Sequence, residues 1–231
     1  RLAMIEEPPL LRIKQNWARP DPALLARFTG ALTGHVCDAQ GGAGAILGPM
    51  PLPGLPIGFA GPAITVDAGP ADVLAPLAAM RQAKPGDVMV LATGGHMGCA
   101  AMGDMLAGMA RNAGIIAVIT DGPMRDLAGL QEVGLPLFAM GLNPNSPFGS
   151  GPGKVGFPVH IGGQRVASGD IIVADSDGAV VVDQTRLSAT ADALDHVRAL
   201  ESGLEAQVKD GLAVVPQIEE LIAAGRVVFE D

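Results

Sequence analysis

The stretch "VMVLATGGHMGCAAMGDMLAGMARNAGIIAVIT", residues 88–120, constrains the fold more than any other part of the chain. "VMVLAT" (88–93) reads as a strand, "DMLAGMARNAG" (104–114) as a helix and "IIAVIT" (115–120) as a second strand. Asp104 stands at the expected N-cap and Gly114 just past the end, residue types that start and stop helices. A strand–helix–strand run of this kind favours a right-handed parallel crossover. A helix of about 10 residues runs about 15 Å, and about six strand residues return about 20 Å. The second strand therefore delivers "DGPMRD" (121–126) to the edge where the helix begins. Carboxyl ends of parallel strands are where α/β sheets bind ligands.

The rest of the chain reads around this unit. Residues 1–20 are expected to form an irregular arm ending in "ARPDP". "DPALLARFTG" reads as a short helix with Asp21 as N-cap and Gly30 closing it. The Gly- and Pro-rich residues 34–69 are expected to be mostly turns, with "AITVDA" the one clear strand. "ADVLAPLAAMRQAKPGD" is a helix with Asp72 near its start, ending before Pro85. Residues 156–183 alternate short strands with Gly/Asp turns, as an antiparallel layer would, and the last 45 residues read as helices. Without a clear linker, residues 21–231 are expected to form one α/β domain with a helical C-terminal extension.

Charge and composition exclude several classes. The net charge is −9, with 15 basic and 24 acidic residues, and no Lys/Arg patch is interleaved with aromatics; no nucleic-acid partner is expected. No apolar run reaches the roughly 18 residues of a membrane helix. The opening "RLAMIEEPPLLRIKQNW" has acids and prolines where a signal peptide carries its apolar core, so a cytoplasmic protein is expected. Cys37 and Cys99 are far apart and outside any CxxC, which reads as buried thiols.

At the carboxyl edge the crossover gathers Asp104, Arg125 and Asp126 with the free amides of Met105 and Leu106. Two carboxylates are the hard oxygen ligands that Mg²⁺ or Mn²⁺ prefers. A guanidinium clamps a carboxylate or an enolate oxygen, and helix-start amides add an anion site. Such a set suits a small 2-oxo acid whose enolate needs stabilising. Each part also has an ordinary reading: a helix cap for Asp104, a turn with a surface ion pair for Arg125–Asp126, turn chemistry for Asp121. His96, in the loop before Asp104, is placed to contact a second carboxylate or to serve as a structural histidine. The methionines at 97, 102, 105, 109 and 124 read as core filling, and Asp38 as a cap. "GGHMG" has neither nucleotide-loop spacing.

"GD" at 103–104, 20 residues, then "RD" at 125–126 resembles the signature of the class II pyruvate aldolases within the RraA-like superfamily. These aldolases act on 4-hydroxy-4-methyl-2-oxoglutarate or 4-carboxy-4-hydroxy-2-oxoadipate. "CDAQGG", "GPAITV", "PGDVMVLATGG", "GIIAVITDGPMRD", "LPLFAMG" and "GDIIVADSDGAVVV" extend the resemblance over roughly residues 30–185. It implies an αββα swivelling β/β/α domain assembled as homotrimers or homohexamers. It implies that Asp126 ligates the divalent metal and that Asp104 holds a metal-bound water acting as acid/base. Arg125 would steady the keto oxygen, and the Met105 and Leu106 amides the substrate carboxylate. The family adds an acid from a neighbouring subunit, for which Glu201, with Glu205 behind it, is the candidate here. The expected activity is cleavage of a 4-hydroxy-2-oxo di- or tricarboxylic acid to pyruvate, with oxaloacetate decarboxylation beside it and a place in aromatic-compound breakdown. The alternatives are a non-catalytic RraA-like ribonuclease regulator and a metal-dependent hydrolase or isomerase on the same scaffold. The arm at 1–20 and the tail after about 205 lie outside the resemblance.

Overall fold

A computed structural model describes residues 9–230 of the chain. It begins with a short strand, β1 (Leu11–Ile13), and two helices, α1 (Pro22–Ala26) and α2 (Thr33–Ala39). Two two-residue strands follow, β2 (Ala45–Ile46) and β3 (Met50–Pro51), then the long β4 (Phe59–Asp67) and α3 (Leu74–Gln82). The central crossover is β5 (Val88–Ala92), α4 (Asp104–Asn112) and β6 (Ala117–Thr120), continued by α5 (Leu127–Val133) and β7 (Leu137–Ala139). Five strands complete the β structure: β8 (Gly153–Val155), β9 (Val159–Ile161), β10 (Gln164–Val166), β11 (Ile171–Asp175) and β12 (Gly178–Val182). The C-terminal helices are α6 (Leu187–Lys209) and α7 (Pro216–Ala223).

The sheet runs β2-β12-β11-β4-β5-β6-β7-β3. Strands β4 to β7 are mutually parallel, with Val88 opposite Ala117 in the expected crossover, whereas β11, β12 and β2 run antiparallel. The end strands β2 and β3 are joined only by Leu47, Gly48 and Pro49. Both ends of the sheet must therefore meet, and the sheet curls on itself. Inside the curl, Val88, Val90, Ile119, Phe138, Ile172 and Val181 pack together, with the β9–β10 hairpin adding Val159, Ile161 and Val166. Outside the parallel half, α3, α4 and α5 cover a second cluster built on Ile64, Val66, Met89, Leu91 and Leu130. Outside the antiparallel half, α2 and the first half of α6 cover Ile171, Val173 and Val180. Helix, sheet, sheet and helix stack in the expected αββα order. Because both faces of the parallel strands are covered, they read as continuous apolar runs.

Four local expectations need correction. The arm is not wholly irregular: β1 pairs in parallel with β8, Leu11 opposite Gly153, while residues 1–8 lie outside the described residues. Residues 34–69 are not mostly turns, for α2 occupies Thr33–Ala39. Asp175 anchors its start, accepting from the Thr33 amide at 2.8 Å and the Thr33 hydroxyl at 2.8 Å. Asp38 is therefore the penultimate residue of that helix and not its cap. Asp104 is the first residue of α4 and Gly103 its N-cap, one position earlier than expected. Both cysteines are free, Cys99 buried and Cys37 half-buried.

Asp72 begins α3 as anticipated and does more than cap it. Its carboxylate accepts from the amides of Leu74, Ser150 and Gly151 at 2.8, 2.7 and 2.8 Å. Burial alone would raise its pKa, but those donors outweigh it and hold the carboxyl below its ordinary value. This ties the 143–151 segment to the helical layer.

Candidate active site

The carboxyl ends of β5 and β6 are fastened together before any polar group is presented. Asp121 accepts from the Thr93 amide at 2.6 Å, the Thr93 hydroxyl at 2.9 Å and the Gly95 amide at 2.8 Å. What reads locally as turn chemistry is thus a staple between two strand ends. Next to it, three segments lie side by side through backbone bonds. The Ala101 amide donates to Pro123, Arg125 to Met102, Met124 to Gly141 and Asn143 to Met124, all between 2.7 and 3.1 Å. Met102 and Met124 are fully buried beneath, in the core role expected of them. Met97, Met105 and Met109 are exposed instead.

This small extension fixes Arg125 and Asp126. Asp126 takes a left-handed conformation, φ 62° and ψ 47°, where the chain turns sharply into α5. Among residues with a side chain, Asp and Asn tolerate that region best. Arg125 Nε donates to Asp126 Oδ2 at 3.2 Å and Arg125 Nη1 to Ser146 Oγ at 2.5 Å. Among the described residues the other guanidinium N–H groups have no side-chain partner.

Two glycines make room for the carboxylates. A Cβ on Gly103 would stand 2.4 Å from Asp126 Oδ2 and 3.1 Å from Arg125 Nε. A Cβ on Gly129 would stand 2.3 Å from Asp104 Oδ2. The Asp104 carboxylate therefore lies against the first turns of α5, and the Asp126 carboxylate against the start of α4. Both acids thus stand between these two helix starts, as the sequence spacing anticipates.

The amides at the start of α4 are not equivalent. Met105 N–H donates to Asp104 Oδ1 at 2.7 Å, so it reaches a ligand only if that carboxylate turns away. Leu106 N–H, in the first turn, has no intrahelical acceptor. His96 is half-buried in the loop, its ring folded back on Gly98, where a Cβ would meet Nε2 at 2.9 Å. Glu201 is on α6, lining a depression with Leu32, His35, Arg198, Ser202 and Glu205. That depression shares no residue with the loops around Arg125, so within one chain Glu201 does not complete this site.

Sequence reasoning missed Ser146, Asn143 and Asn145. Asn143 Nδ2 donates to the Met97 carbonyl at 2.8 Å and Asn145 Nδ2 to the Gly98 carbonyl at 2.9 Å. The only local signal is the turn-rich "NPNSP", which says nothing about the loop it grips.

Among the described residues no group of three or more His, Cys, Asp or Glu is arranged to hold a metal. A pair of carboxylates in a glycine-lined crevice still fits Mg²⁺ or Mn²⁺, which take one or two carboxylates and fill the shell with water and substrate oxygens. It fits zinc poorly, since structural and catalytic zinc sites gather three or four N/S-rich ligands. The expected metal is compatible with the donors present.

Fold and site together define an α/β protein with an acidic pair and an arginine at the carboxyl edge of its parallel strands. The chain belongs to the RraA-like family: the family model described as Aldolase/RraA matches residues 33–181. A Halalkalibacterium halodurans protein named "Putative 4-hydroxy-4-methyl-2-oxoglutarate aldolase" is 32% identical over 163 residues, 70% of this chain and 78% of that protein. An Arabidopsis thaliana protein named "Putative 4-hydroxy-4-methyl-2-oxoglutarate aldolase 3" is 36% identical over 103 residues, 45% of this chain and 61% of its own length. The crystal structure of Streptomyces coelicolor RraAS2, an unusual member of the RNase ES inhibitor RraA protein family, matches with a TM-score of 0.74 and 27% identity. That match covers 82% of this chain and 100% of RraAS2. No helix among the described residues is long and apolar enough to cross a membrane.

Proposed function

We propose that this protein is a divalent-metal-dependent lyase that cleaves a 4-hydroxy-2-oxo acid to pyruvate and also decarboxylates oxaloacetate. The observation that carries the reading is the placement of Asp104 and Asp126 between the starts of α4 and α5, beside an arginine whose fork is only partly engaged. The aldolase names of two relatives support it. Mg²⁺ or Mn²⁺, held through Asp126 with Asp104 directing its water, would polarise the C1 carboxylate and C2 carbonyl and make a proton acceptor available near neutral pH.

The chain's own groups do the rest. Arg125 offers unused N–H groups to the C2 oxygen, the atom on which negative charge develops. Leu106 N–H faces the C1 carboxylate, and Met105 N–H joins it when Asp104 Oδ1 releases it. Asp104 orients the acceptor of the C4 hydroxyl proton. As that proton leaves, the C3–C4 bond breaks, C4 becomes a carbonyl, and the bonding pair moves into an enolate at C2 and C3. Proton return to C3 gives pyruvate. Oxaloacetate follows the same course because losing CO₂ from C4 leaves the same enolate.

A homotrimer or homohexamer belongs to the same proposal. Beyond Leu194 the α6 helix carries exposed Leu200, Leu204 and Val208 at four-residue spacing, one apolar stripe beside Glu201. A stripe of that kind suits a helical contact with a second copy, which would supply the third acid.

Pyruvate release coupled to lactate dehydrogenase tests the reading, with 4-hydroxy-4-methyl-2-oxoglutarate and oxaloacetate as substrates and Mg²⁺, Mn²⁺ or EDTA present. Metal-dependent release from both is expected. Release from oxaloacetate alone would keep the site and move the substrate elsewhere among 2-oxo acids. No release from either would favour the ribonuclease regulator, or a metal-dependent hydrolase or isomerase.

A further inference from the structure

We propose that Ser146 is a positioning residue for Arg125, holding the guanidinium by a neutral acceptor so that its charge stays directed at the substrate. This rests on the lyase reading of the site. Arg125 has two side-chain partners, and they differ in kind. Asp126 Oδ2 accepts from Nε at 3.2 Å, whereas Ser146 Oγ accepts from Nη1 at 2.5 Å. A carboxylate that also serves a cation shares its lone pairs and loosens its hold on Nε. The serine is then the anchor that remains. A neutral acceptor fixes the fork without cancelling its charge, which a second carboxylate would do.

The residues just before Ser146 are held from several directions. The Asn143 amide donates to the Met124 carbonyl at 2.8 Å, and Asn143 Oδ1 accepts from the Asn145 amide at 2.9 Å. The two asparagine side chains donate to the Met97 and Gly98 carbonyls, and the Ala100 amide donates back to the Asn145 carbonyl at 3.0 Å. Pro147 follows and restricts the Ser146 backbone to extended conformations. The strap 143–146 thus ties the loop before Asp104 to the segment bearing Arg125 and ends on the hydroxyl that holds the guanidinium. Ser146 is exposed, and it is this backbone support that keeps its hydroxyl on the guanidinium.

The test measures kcat and KM for oxaloacetate in wild type, Ser146→Ala and Ser146→Thr, and repeats the alanine change in an Arg125→Lys background. Ser146→Ala is expected to lower kcat about tenfold, the scale of one hydrogen bond to a charged group. KM should change less than about threefold, Ser146→Thr should restore most of the rate, and the melting temperature should hold. In Arg125→Lys, adding Ser146→Ala should change kcat less than about twofold, because residues acting through one another are not additive. Full activity in Ser146→Ala, or the same loss in both backgrounds, would overturn the proposal while wild-type turnover still supports the lyase. If wild type is inactive, nitrogen-15 NMR of the Arg125 guanidinium decides instead. Slowed, resolved Nη protons that are lost in Ser146→Ala are the expected result, and identical spectra would overturn the proposal.

Discussion

Replacing Gly103 by alanine is expected to remove turnover while leaving the protein folded. Gly103 has φ −123° and ψ −170°, extended backbone that any residue adopts, so alanine meets no conformational penalty there. Its methyl carbon, however, would stand 2.4 Å from Asp126 Oδ2 and 3.1 Å from Arg125 Nε. The Asp126 side chain is partly exposed, so the carboxylate relieves the clash by rotating away from the start of α4. The guanidinium bonded to it moves as well. Misplacing reacting groups by about 1 Å costs about a hundredfold in rate. We therefore expect kcat/KM to fall at least about 100-fold, with a change in melting temperature of no more than about 4 °C, the scale of a loss near 1 kcal/mol in a chain of this size. Near-wild-type activity would mean that Asp126 and Arg125 need not stand where they do.

Asp126 itself separates charge from conformation. Asn shares the tolerance of Asp for the left-handed region, whereas Ala there is strained. Asp126→Asn should keep the turn into α5 and the fold, yet weaken Mg²⁺ or Mn²⁺ binding at least about 100-fold, since even outer-shell partners of a metal are worth about 10- to 100-fold. Asp126→Ala should lose the metal equally and some stability besides. Calorimetric metal titration and thermal melting of both variants read the two effects separately. Unchanged metal affinity in Asp126→Asn would remove Asp126 from the metal shell.

The sequence made the central architecture legible because its signals are local. Apolar runs at 88–92 and 117–120, with a helix between them, sufficed to place Asp104 and Arg125–Asp126 at one edge. The features that escaped depend on distant partners. Helix α2 has seven residues, two of them small or flexible at its start, and its anchor is Asp175, 142 positions away. Strand β1 has three residues and exists through its pairing with β8. Ser146 lies 21 residues beyond Arg125 in a proline-rich loop, with no periodicity to aim it. Gly103 and Gly129 were visible as letters, but only the packing of α4 on α5 turns them into the walls of a carboxylate crevice. The Met105 amide was expected to be free. It is not, because the neighbouring carboxylate was counted only as a ligand of something else.

Stabilisation of a pyruvate enolate by Arg125 and the acidic pair can be tested without knowing the natural substrate. Incubating the protein with pyruvate in D₂O and following the methyl signal by proton NMR measures enolate formation alone. Mg²⁺- or Mn²⁺-dependent exchange of the methyl protons for deuterium is expected, abolished by EDTA and by Arg125→Ala. Absence of exchange in folded, metal-supplied wild type, or undiminished exchange in Arg125→Ala, would contradict it.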